Sequence, residues 1–64
     1  MKRADLERYL RANGCRLLRE GAKHSVYVNP ENGFMTTVPR HAEILTFTGK
    51  KICKDLGILV IRAR

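Results

Sequence analysis

Acidic side chains are scarce in this 64-residue chain: six Asp and Glu stand against thirteen Lys and Arg, a formal charge of +7 with a pI near 10.1. No carboxylates gather at the spacing a divalent-metal site needs, so neither a metal nor a cofactor is expected. Cysteine is nearly absent too. Cys15 and Cys53 are too few for a tetrahedral zinc site or a disulfide framework and share no Cys-x-x-Cys spacing, so both are read as buried, reduced thiols. No apolar run approaches the roughly 20 residues that cross a bilayer. The N-terminus carries no signal-type apolar core, so a cytoplasmic protein without a membrane partner is expected. No repeat or linker divides the chain, which reads as one domain over residues 1–64.

A chain this short removes only about 60 % of its unfolded surface from water, so its core is thin. A deep substrate cavity would consume that core, and any chemistry belongs on the surface or in a shallow groove, which favours a polymer as substrate. The dense positive charge points to a polyanion, and the cations are spread along the chain as on a folded surface rather than in a basic tail.

Leu6, Tyr9 and Leu10 recur at helical spacing and predict an amphipathic first helix that Gly14 closes, placing Cys15 against Leu10. Residues 15–20 are short enough for a strand, Gly21 breaks it, and the β-branched and aromatic run 24–28 predicts a second. Alternation there puts His24, Val26 and Val28 on one face and Ser25, Tyr27 and Asn29 on the other, with His24 at the rim. Asn29-Pro30-Glu31-Asn32-Gly33 is a reversal signal, and a third strand over 34–38 stops at Pro39. Gly49, Ile52, Cys53 and Leu56 then mark a second helix, with Thr48 as N-cap and Gly57 as terminator. Lys50, Lys51 and Lys54 lie on its outer side, where a solvated face is the plain explanation. The apolar tail 58–61 must pack back on the core or extend a sheet edge. The order α-β-β-β-α predicts a two-layer α+β sandwich, a three-stranded antiparallel sheet with both helices on one face, the outline of double-stranded-RNA-binding modules.

His24 is the chemically suggestive residue. An imidazole can take or give a proton at cellular pH, and Lys23 beside it offers a cation to a phosphate. On local spacing alone, a histidine at a strand end with no chemical role is the commoner case.

Five blocks in order are similar to the HicA family of bacterial toxins, over about residues 3–58. They are Asn13-Gly14-Cys15; Arg19-Glu20-Gly21-Ala22-Lys23-His24-Ser25; Val28-Asn29-Pro30-Glu31-Asn32-Gly33; Val38-Pro39-Arg40-His41 with Glu43-Ile44; and Ile52-Cys53-Lys54-Asp55-Leu56-Gly57-Ile58. The chain departs from the family pattern at Lys23, where many relatives carry a small or polar residue, at Phe47, which replaces a common glycine, and at Gly49, where alanine is common. The resemblance implies a double-stranded-RNA-binding-like fold, a metal-independent ribonuclease acting on mRNA with its catalytic histidine at His24, and a cognate HicB antitoxin that covers the histidine and silences it.

Cleavage by the RNA's own 2′-hydroxyl needs a base, an acid for the leaving 5′-oxygen and cations for the developing charge. His24 is the candidate base or acid, with Lys23 and Arg40 steadying the phosphate. His41 is the candidate for the second proton, beside the alternative that it serves the strand exit. Ser25, Lys50, Lys51 and Lys54 complete the candidate RNA contacts. The alternative reading is a non-catalytic RNA-binding or regulatory module of the same fold.

Overall fold

The computed structural model describes residues 1–62 of the chain and has the expected order: α1 (Arg3–Ala12), β1 (Arg16–Glu20), β2 (His24–Asn29), β3 (Phe34–Pro39) and α2 (Thr46–Asp55). The strands form one antiparallel sheet in the order β1-β2-β3. Leu6 and Leu10 of α1 and Ile52 and Cys53 of α2 share a buried cluster with Tyr27 and Val38 of the sheet, joined by Cys15, Ile44 and Leu56. One helical layer on one sheet gives a molecule 16 Å through its thinnest direction.

Both helices end as the glycines predict. Cys15 N–H donates to Leu10 C=O at 2.9 Å and Gly14 N–H to Arg11 C=O at 3.0 Å, a pattern repeated at α2 by Ile58 with Cys53 and Gly57 with Lys54. Gly14 and Gly57 supply the left-handed residue this closure needs, at φ 85° and 70°. The beginnings differ from expectation. α2 starts at Thr46, ahead of Thr48, and neither helix has a side-chain N-cap. α1 is instead started by a tertiary bond from Arg3 N–H to Ala42 C=O at 2.9 Å, next to a bridge between Lys2 and Glu43.

The strand alternation resolves into an inside and an outside. Ser25, Tyr27 and Asn29 are buried beneath the helices, whereas His24, Val26 and Val28 face the open side of the sheet. Across β3 the outer residues are paired with Pro39, Thr37 and Met35. β1 is exposed along its length, and its register to β2 slips between Leu17 and Arg19. At the hairpin, Asn29 and Asn32 both donate to Leu56 C=O, at 2.9 and 3.1 Å, which ties the β2–β3 turn to the end of α2. Of the tail, Ile58, Val60 and Ile61 pack on the core while Leu59 is exposed, and Tyr9 Oη donates to Leu59 C=O. Packing back is therefore the outcome for 58–61. No helix among the described residues is long and apolar enough to cross a membrane.

Candidate active site at the rim of the sheet

The β1–β2 turn is built around Gly21. Its N–H donates to His24 C=O at 2.8 Å, and a Cβ at this position would sit 2.9 Å from that same backbone oxygen. Only a residue without a side chain fits this close approach, so the glycine sets where β2 begins and where His24 projects. His24 is exposed at the first outward position of β2, opposite Pro39. Arg40 and His41 follow Pro39 directly, and they line one shallow depression with Ala22, Lys23 and His24. Two segments far apart in sequence thus bring two imidazoles and two cations to one rim.

Arg40 links those segments. Its Nη1 donates to Gly21 C=O at 3.0 Å, and its Nη2 stands 3.9 Å from Glu20 Oε2, at an exposed position where solvent screening leaves such a pair little energy of its own. Its worth is geometric: it fixes the turn while part of the guanidinium stays open to a phosphate.

Beneath the rim runs a polar network that the candidate residues rest on. Arg3 of α1 donates from Nε to Pro39 C=O at 2.9 Å, from Nη2 to Ser25 Oγ at 2.8 Å and from Nη1 to Glu7 Oε1 at 2.9 Å. Ser25 Oγ donates in turn to Glu20, and Tyr27 Oη donates to Glu7. The Ser25 hydroxyl, with Arg40 and Arg3 assisting against some desolvation, holds the Glu20 carboxyl below its ordinary range and so ionised at neutral pH. Burial, with the bond to Glu7, pushes the Tyr27 phenol up to about 12. Burial raises the Cys15 and Cys53 thiols as well, as fits two free core cysteines.

The structure therefore sorts the candidate residues. His24, Lys23, Arg40 and His41 come together. Ser25 does not join them, because alternation turns it inward; it is fully buried and its hydroxyl is committed to Arg3 and Glu20, so it supports the rim from beneath and presents nothing to a ligand. Lys50, Lys51 and Lys54 are exposed on α2 and lie outside the depression, with Lys51 3.4 Å from Asp55. Arg3 and Glu20 are the residues that sequence reasoning passed over. The only local trace of Arg3 is its i, i+4 relation to Glu7; its partners Ser25 and Pro39 are brought to it by the fold.

An exposed imidazole with flanking cations in a shallow depression at the rim can serve proton transfer at a phosphodiester of an extended polymer. Among the described residues, no three His, Cys, Asp or Glu side chains gather where they could hold a metal ion. A family model for the HicA toxin of bacterial toxin–antitoxin systems matches residues 3–58. No curated protein and no solved structure matches the chain.

Proposed function

The chain belongs to the HicA toxin family, and on that premise we propose that it is a metal-independent endoribonuclease that cleaves mRNA in the cytoplasm and is held silent by a HicB-type antitoxin. The observation that carries this reading is the shared depression of His24, Lys23, Arg40 and His41. Lys23 and Arg40 hold the non-bridging phosphate oxygens. One imidazole takes the proton from the 2′-hydroxyl as its oxygen attacks phosphorus. The P–O5′ bond then breaks, and the 5′-oxygen leaves with a proton from the second imidazole or from water. The products are a 2′,3′-cyclic phosphate and a 5′-hydroxyl. His24 carries the main proton role because it projects from the strand that Gly21 and Arg40 hold in place.

The test is induced expression of the wild-type chain and of His24→Ala in a bacterial host, following growth and total mRNA. Growth arrest with mRNA loss in the wild type alone is the expected result. Arrest by both proteins, or by neither, contradicts a toxin centred on His24 and favours a binding module.

A further inference from the structure

One aromatic side chain sits where packing gives it nothing. Phe47, in the first turn of α2, is 78 % exposed. Gly49, Ile52, Cys53 and Leu56 turn toward the core, and the helical period places Phe47 on the opposite side. Its neighbours on that outer column, at i+3, i+4 and i+7, are Lys50, Lys51 and Lys54, all exposed. Only Lys51 has an acidic partner among the described residues, Asp55 at 3.4 Å. A single exposed apolar residue needs no explanation. An exposed phenyl ring amid three lysines is a different object, because it pairs a stacking surface with cations at the spacing of one helix face.

We propose that Phe47 with Lys50, Lys51 and Lys54 forms a second RNA site, on the helical layer and outside the His24 depression, in which the ring stacks on an unpaired base and the lysines hold the adjoining phosphates. The inference rests on RNA being the substrate. Single-stranded RNA is the occupant that fits. Every base offers a π-face to a ring, whereas the bases of a duplex are already stacked and closed to one. A protein partner fits less well, because the centres of protein interfaces are depleted in charge and this ring has lysines on its own column. The site holds the strand on α2 while a distant phosphodiester is presented at His24.

The test uses the His24→Ala protein, which keeps RNA intact, and measures fluorescence anisotropy with a labelled single-stranded oligoribonucleotide and with its duplex. Phe47→Ala is expected to weaken single-strand binding by about fivefold or more and to leave duplex binding unchanged. Phe47→Trp is expected to restore affinity and, as the only tryptophan in the chain, to lose emission when the single strand binds. Replacing Lys50 or Lys54 by alanine should flatten the log–log salt dependence by about 0.7 per lysine that meets a phosphate. Unchanged affinity in Phe47→Ala, or tryptophan emission indifferent to the single strand, overturns the site. So does equal quenching by the duplex, or a Phe47→Ala protein that loses antitoxin but not RNA. If the His24→Ala protein binds no RNA at all, the ribonuclease reading falls with it, an outcome distinct from failure of the Phe47 site alone.

Discussion

Tyr27 is fully buried, yet its phenol must donate a hydrogen bond to the Glu7 carboxylate, and this makes the fold sensitive to alkali. The neutral phenol is the form the fold prefers, since burial and Glu7 raise it from 10 to about 12. A group raised in this way contributes its stability in full below its unfolded value and loses it as pH climbs through the folded one. The structure should therefore hold up to about pH 10 and weaken between there and about 12. Tyrosinate absorbance of a Tyr9→Phe protein, in which Tyr27 is the one remaining tyrosine, followed beside circular dichroism checks this: Tyr27 should stay neutral near pH 10 and ionise only towards about pH 12, and ionisation near pH 10 in the folded protein would refute it. Gly21 is the second residue-scale case. In Gly21→Ala the new Cβ meets a backbone oxygen, which cannot swing aside as a side-chain tip can. The expected cost is about 1–3 kcal/mol in urea denaturation, with displacement of His24 and loss of cleavage beyond what that stability change explains.

At the scale of elements, what could be read in the chain depended on where the signal resides. The helix ends were legible because Gly14 and Gly57 act through their own backbone geometry. The helix starts were not, because α1 begins on the carbonyl of Ala42, a partner distant in sequence, and Leu45 precedes α2 without any capping side chain. The slip in β1 between Leu17 and Arg19 likewise has no local marker. Within α2, Gly49 faces the core, where an added Cβ would lie 2.8 Å from Sδ and 2.9 Å from Cε of Met1. Those atoms are the mobile end of an unbranched side chain that can repack. Gly49→Ala is therefore expected to stabilise the protein, by up to about 1 kcal/mol of recovered helix propensity, read as a higher urea midpoint at unchanged slope. A lower midpoint would show that Met1 is wedged rather than adaptable.

For the molecule as a whole, the two-layer build keeps two groups of candidate residues apart. The open side and rim of the sheet carry His24, Lys23, Arg40 and His41, while the helical layer carries the α2 lysines. The alternation of β2 was plain in the sequence, and it correctly separated His24 from Ser25. Which face lay inward was decided by the helices, and for that reason Ser25 lies buried beneath them while His24 stands exposed at the rim. Arg40 and His41 joined the candidate site through the family motif; nothing in their own spacing announced that Pro39 pairs with His24. The network that steadies the rim from below, Arg3 with Ser25, Glu20 and Glu7, was legible only in three dimensions.

The most direct measurement is the chemistry of the cut ends, using purified wild-type protein and His24→Ala on a defined single-stranded RNA with a metal chelator present. The expected products carry 2′,3′-cyclic phosphate and 5′-hydroxyl ends, formed roughly 10²–10⁴-fold more slowly by the variant. Products with 3′-hydroxyl ends, or a His24→Ala protein that cuts at the wild-type rate, would contradict proton transfer by His24 to and from the RNA's own hydroxyls.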